Sequence, residues 1–156
     1  MDPGNEDYFI STDRELLDLD FICGALAGSY WAQNRPRPVV EKSIRNSVCF
    51  GLYERRSRRQ VGFARLVTDG ATFSWLADVI VDERHRGKGL GKLLVSTIVD
   101  HPLVSATTCL LGTRDAHGLY ERFGFTRSEM MRRLRTGEQP SPAPMQAPDV
   151  APPSGR

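Results

Sequence analysis

The chain has 156 residues, 40% apolar and 26% charged, with 21 Lys and Arg against 19 Asp and Glu for a formal charge of +2. These are the proportions of an ordinary globular domain, and the length suits one domain that buries a core without disulfide staples. They exclude a strong global field, so binding of nucleic acid or membrane would need a local patch. No apolar run approaches the roughly 20 residues of a membrane helix, and the acidic start Met1-Asp2-Pro3-Gly4-Asn5-Glu6-Asp7 does not read as a secretion signal. Cys23, Cys49 and Cys109 form no CxxC pair, which predicts reduced thiols, a cytoplasmic setting and no metal module.

In chain order, residues 1–7 form a short flexible start. Ser11-Thr12-Asp13, then Glu15 and the apolar series Leu16, Leu17, Leu19, Ile22 and Leu26, predict a capped helix. A second helix is expected from Pro38 to about Asn46, and the polar loop between the two carries the aromatics Tyr30 and Trp31. The period then changes to that of strands at Val48 to Tyr53, Val61 to Val67 and Thr72 to Val81. Asp69-Gly70 signals a two-residue hairpin turn between the last two of these, so a three-stranded antiparallel meander is expected. A helix from about Gly89 to Val99 follows, closed by His101-Pro102, then a short strand at Thr107 to Gly112. Asp115 is expected to cap a last helix bearing Ala116, Leu119, Tyr120 and Phe123 on one face and Gly124 as its terminator. The fold class is α/β: a mixed, mostly antiparallel sheet flanked by helices, folded over 8–135. Of the ten prolines, six fall in 137–156, so 136–156 is expected to be a disordered, Pro-rich tail.

The most informative segment is Asp82-Glu83-Arg84-His85-Arg86-Gly87-Lys88-Gly89-Leu90-Gly91-Lys92, between a strand and a helix. Glycine at every second position lets the backbone bend so that several N–H groups converge, with a helix dipole behind them and four cations around them. That combination points to a phosphate or pyrophosphate. Neither GxxxxGK[ST] nor GxGxxG is present. Arg86-Gly87-Lys88-Gly89-Leu90-Gly91 resembles the [RQ]-x-x-G-x-[GA] signature of the Gcn5-related N-acetyltransferases (GNAT), and Thr113 to Phe125 is similar to that family's N-x-x-A-x-x-L-Y-E-[KR]-x-G-F block. The resemblance covers residues 8 to about 131. It implies acetyl-coenzyme A as co-substrate, with the pyrophosphate on Arg86, Gly87, Lys88, Gly89, Leu90 and Gly91, and the pantetheine arm on the backbone of Val79 and Val81. Thr113 stands where the family usually has asparagine beside that arm.

Acetyl transfer from a thioester to an amine needs a base for the ammonium and an acid for the departing sulfur. Tyr120 occupies the family's acid position. Asp78 interrupts an apolar strand, and an unpaired buried carboxylate there would suit a base. With a two-residue turn at Asp69-Gly70, Asp78 falls opposite Val61 and too far along the sheet from Arg65 for a direct pair. The strand also resembles the E-D-[IL]-[YF]-V strand of polyamine acetyltransferases, with Ala77 in place of the glutamate. His117 is an alternative base. Tyr30 and Trp31 are candidate acceptor-lining residues, because loops between the first helices cover that end of the site in the family, and Trp75, which the two-residue turn places opposite Ala64, is read as core or cleft floor on the same side. Arg55, Arg56, Arg58 and Arg59 read as a solvated turn with no interleaved aromatic. The expected function is an acetyl-coenzyme A dependent N-acetyltransferase for the primary amine of a small molecule. No nucleic acid, membrane or metal is called for, and a homodimer is allowed. The alternatives are a peptide or protein amine as acceptor, and a non-catalytic coenzyme-binding sensor.

Overall fold

The computed structural model describes residues 6–139. These fall into two compact units, 6–125 and 126–139, and most of the Pro-rich segment lies outside the described residues. Within 126–139 there is no helix or strand, and Arg135 pairs with Glu138 across the turn at Gly137.

The first unit is a five-stranded sheet in sequential order: β1 (Tyr8–Ser11), β2 (Val48–Glu54), β3 (Gln60–Thr68), β4 (Phe73–Val81) and β5 (Thr108–Leu111). The first four strands are antiparallel, and β5 joins β4 in parallel. On one face lie α1 (Leu19–Ala27) and α2 (Arg37–Arg45), where Ile22, Leu26 and Val40 pack on Cys49, Phe63 and Ile80. On the other lies α3 (Leu90–Val99), whose Leu94, Val95 and Ile98 cover Phe50, Ala64, Leu66 and Leu76. The alternation of strand residues between these two cores is the period of two that the sequence displays. No helix among the described residues is long and apolar enough to cross a membrane.

The amino-terminal region departs from expectation. Tyr8–Ser11 is an edge strand on β2, a single 3-10 turn at Arg14–Leu16 is capped by the Asp13 carboxylate, and Asp18 caps α1 separately. What reads as one capped helix is thus a strand and two short capped elements. The Arg-rich turn also has its aromatic after all. The guanidinium carbons of Arg55 and Arg58 lie 5.5 and 4.7 Å from the Phe9 ring centroid, and Arg55 donates to the carbonyls of Glu6 and Tyr8. These arginines pin β1 to its neighbour.

The β3–β4 connection is not a two-residue turn. Thr68 pairs with Ser74, and the Asp69 carboxylate accepts from the N–H groups of Ala71, Thr72 and Phe73. That carboxylate replaces strand partners with a wider turn and moves the register by several residues. A short α4 (Pro102–Ser105), which the sequence does not signal, follows α3. α5 (His117–Glu121) begins without help from Asp115: Thr113 Oγ1 accepts from Ala116 N at 3.0 Å instead. Gly124, at φ 85°, closes it as expected.

Candidate active site

The site is built on an irregularity in β4. Phe63 pairs with Ile80, but Arg65 pairs with Ala77, so Ala64 alone opposes Asp78 and Val79. This is a β-bulge, and Asp78 takes it up with φ 55°. Asp is among the few non-glycine residues that tolerate this region. Either side of the bulge the facing of side chains is reset: Leu76 and Val79 pack in the α3-side core, and Ile80 in the α1–α2 side core.

The expectation of an unpaired Asp78 is corrected by this register. Arg65 Nε and Arg35 Nη1 donate to Asp78 Oδ2 at 2.9 and 2.8 Å, and Trp31 Nε1 donates to Oδ1 at 3.0 Å. The carboxylate side chain is 2% exposed. Three donors hold this carboxylate and almost none of it is exposed, so it is an ion-paired group and not the unpartnered base expected from the sequence. Trp75 likewise pairs with Val67 and Leu110, not with Ala64 as the shorter turn predicted.

Beyond the bulge, β4 parts from its neighbour. β5 pairs with β4 only from Phe73 to Leu76, so residues 77–81 have no strand partner on that edge among the described residues. This opening in the sheet edge leads along β4 to the glycine turn. There, a 3-10 turn at Glu83–His85 is capped by Asp82. Gly87 and Gly89 follow at φ 81° and 74°, a conformation that costs other residues about 1 kcal/mol or more. α3 starts at Leu90 with no side-chain cap, leaving its first N–H groups without intrahelical partners. A Cβ added at Gly87 or Gly89 meets nothing within 4 Å. Lys88 Nζ donates to Tyr8 Oη at 3.3 Å, and that oxygen also lies 3.0 Å from His85 Nδ1. Arg84 is held by Asp82, and Arg86 reaches Glu83 only at 3.9 Å. The turn therefore combines helix-start N–H groups that lack a side-chain cap with a set of cations, the chemistry that an anionic group requires.

α5 contributes Tyr120, which is 8% exposed and packs its ring edge-on to Phe125 at 5.8 Å. Burial pushes its phenol up to about 12, with smaller contributions from Tyr30 and Asp115. Tyr30 reaches the same region. Its hydroxyl accepts from Arg114 N at 3.1 Å, the Arg114 guanidinium lies 3.8 Å from its ring centroid, and its ring meets Trp31 at 5.0 Å. Tyr120, Tyr30, Trp31 and Asp78 thus form one line of neighbours that ends on the bulge in β4, whereas half-buried Trp75 lies beside Gly112. Arg35, Arg65, Arg114 and Tyr8 are the members that sequence reasoning missed: Arg35, Arg65 and Tyr8 have no motif around them, and Arg114 stands at a variable position of the 113–125 block. A separate cavity of about 320 Å³ lies behind the glycine turn, lined by Asp18, Phe21, Gln60, Val61, Arg84 and His85 among others, and shares none of that line. No group of His, Cys, Asp and Glu that could hold a metal occurs among the described residues.

Residues 45–127 match the acetyltransferase (GNAT) domain family. A crystal structure from Xanthomonas campestris, described as an acetyltransferase of the GNAT family, superposes with a TM-score of 0.77 at 40% identity, covering 83% of this chain and 94% of that one. The Gibberella zeae protein FG08082, which carries an acetyltransferase name, is 36% identical over 110 residues; the match takes in 59% of this chain and only 62% of that longer relative. Glucosamine-6-phosphate N-acetyltransferase from Arabidopsis thaliana shares the fold at a TM-score of 0.60 and 17% identity, covering 83% of this chain and 98% of that one.

Proposed function

The chain belongs to the GNAT acetyltransferase family and is an acyltransferase, and on that premise we propose that it transfers the acetyl group of acetyl-coenzyme A to the primary amine of a small molecule by direct attack. The observation that carries this is the continuity between the unpaired edge of β4 and the glycine turn at the start of α3. An extended amide-bearing arm fits the first, and a pyrophosphate fits the second.

The residues present suit that co-substrate. Peptide groups of Val79 and Val81 lie on the open edge and pair with the amides of the pantetheine. N–H groups from Gly87 to Gly91, the α3 dipole, and Arg86 and Lys88 hold the pyrophosphate. The side of Gly87 and Gly89 that a Cβ would fill is free of protein atoms, so the backbone itself can approach. The Thr113 hydroxyl, already engaged by Ala116 N, contributes by fixing the start of α5 more than by direct contact. Bound there, the coenzyme supplies an activated thioester: a C–N bond forms as the C–S bond breaks, the amine loses a proton and the sulfur gains negative charge.

Tyr120 meets that charge. A phenol at about 12 stays protonated at neutral pH, and outright proton transfer to a thiolate whose conjugate acid lies near 8.5 would be uphill by roughly 5 kcal/mol. Tyr120 therefore acts as a hydrogen-bond donor to the sulfur. Asp78, held by Arg35, Arg65 and Trp31, positions the acceptor loop and leaves deprotonation of the amine to solvent. Tyr30, Trp31 and Trp75 line the acceptor side, and the catalytic domain spans 8–135.

Titration calorimetry with acetyl-coenzyme A on the parent and on Gly89→Glu tests the turn. The variant's affinity should fall by about a hundredfold through lost charge-assisted contacts and added repulsion. Its stability should fall by only about 1 kcal/mol, the cost of the backbone conformation. Equal affinity in both proteins would remove the coenzyme assignment.

A further inference from the structure

The line of residues beside Tyr120 carries more positive charge than acetylation of a simple amine calls for. Two guanidiniums, Arg35 and Arg65, share the single carboxylate of Asp78. Arg65 makes two side-chain bonds: its Nε is on Asp78, its Nη1 donates to Ser47 Oγ at 3.0 Å, and its side chain is 15% exposed. Arg35 makes one and is more open. Its side chain is 21% exposed, and Nη1 to Asp78 is its one side-chain bond among the described residues, leaving Nε and Nη2 free to donate. A second cation stands at the other end of the aromatic pair, where Arg114 lies on the Tyr30 ring with no carboxylate partner among the described residues. The one acid next to it in sequence, Asp115, is exposed.

A half-buried guanidinium without a counter-charge, as at Arg114, is costly, Arg35 has only a share of one carboxylate, and the planar fork of each matches an oxyanion in two-point fashion. A polycation placed against Trp31 and Tyr30 would meet Arg35 and Arg114 with like charge, while Asp78, the carboxylate within reach, is already occupied. Building on the acetyl-transfer reading above, we propose that the acceptor is an amine that also bears an anionic group, a carboxylate or a phosphate, held by Arg35 and Arg114 on either side of the Tyr30–Trp31 pair. The anion completes the neutralisation that Asp78 begins. It also orients the amine toward the opening beside Tyr120, and it selects against polyamines and unsubstituted alkylamines.

The test is acetyl transfer by the full chain to matched acceptors: glycine against glycinamide and methylamine, and phosphoethanolamine against ethanolamine, with spermidine as the polycation. Free thiol and acetylated product are measured together. An anionic member should exceed its uncharged partner in kcat/KM by at least about thirtyfold, the scale of a two-point charged hydrogen bond. Which pair shows the effect separates carboxylate from phosphate. In Arg35→Gln that ratio should collapse to within about threefold through a raised KM for the anionic acceptor, and Arg35→Lys, which keeps the charge and loses the fork, should recover part of it. If Arg35→Gln does not fold, Arg114→Gln supplies the same comparison. Uncharged amines or spermidine acetylated as efficiently as the anionic ones would overturn this inference and leave acetyl transfer standing. No acetylation of any amine would overturn acetyl transfer itself, and this inference with it.

Discussion

Replacing Asp78 by asparagine isolates the charge at the centre of the site. The side chain is 2% exposed and its oxygens take three donors, two of them guanidiniums that are themselves 21% and 15% exposed. Asparagine tolerates the φ of 55° as well as aspartate does, so the backbone adds almost nothing to the change. What is lost is the negative charge, and the new amide N–H groups face donors. Removing one partner of a buried pair costs about 3–5 kcal/mol; because both arginines retain some water, the lower end, about 3 kcal/mol, applies. For a domain of this size that is a fall in Tm of roughly 10–15 °C. Asp78→Ala should be lower again by about 1 kcal/mol, since alanine pays for the left-handed backbone as well. Thermal denaturation at two salt concentrations, alongside pH profiles of kcat and kcat/KM, gives the answer. A Tm within about 3 °C of the parent, together with loss of the acid limb of the rate, would refute the ion-pair account and restore Asp78 as a base.

Other consequences are equally open to measurement. Tyr120→Phe keeps the packing on Phe125 and removes one hydroxyl, so kcat should fall about ten- to a hundredfold, the worth of a hydrogen bond to a charged sulfur, with coenzyme affinity and Tm nearly unchanged; a loss under threefold would return Tyr120 to the core. Asp69 is held well below the usual carboxylate value by the Thr72 hydroxyl and the N–H groups of Ala71, Thr72 and Phe73. Its folded pKa is depressed, so its contribution is fully present above about 3.8 and is lost as pH falls from there through the folded value. Acid denaturation of Asp69→Asn should lack that part of the pH dependence, and superimposable profiles would contradict the turn geometry. Burial pushes all three cysteine thiols up, Cys49 to about 11. At pH 7.5 the native protein should therefore react with Ellman's reagent at least about tenfold more slowly than the unfolded chain, with Cys49 last.

Much of the sheet and the coenzyme side was legible because it is encoded locally. From Val48 onward the strands and α3 follow their hydrophobic periods to within a residue or two, and the glycines of 87–91 announce a backbone conformation that few other residues adopt. Gly124 could be read as a terminator for the same reason. The edge strand Tyr8–Ser11 could not: four residues carry too little alternation, and what makes them a strand is pairing with β2, 40 to 46 positions away. The register of β4 was lost for a subtler reason. Asp69-Gly70 looks like a two-residue turn, yet the Asp69 carboxylate collects three N–H groups and widens it, and a bulge at a non-glycine residue then shifts the strand again. Because side-chain facing has a period of two, those displacements decide whether Asp78 meets Arg65 or misses it. Arg35 and Arg114 lie in loops, where polar residues are expected and their partners are set by the fold alone.

The measurement that bears most directly on the account is a stoichiometric one: acetyl-coenzyme A and a panel of amines spanning anionic, neutral and cationic acceptors, with free thiol and acetylated amine quantified in the same samples. The account predicts equal amounts of the two products, formed only when both substrates are present, and a fall of about a hundredfold in Gly89→Glu at subsaturating coenzyme. Coenzyme binding that protects the protein against heat while no amine of any charge class is acetylated, or thiol released without an acetylated amine, would contradict it.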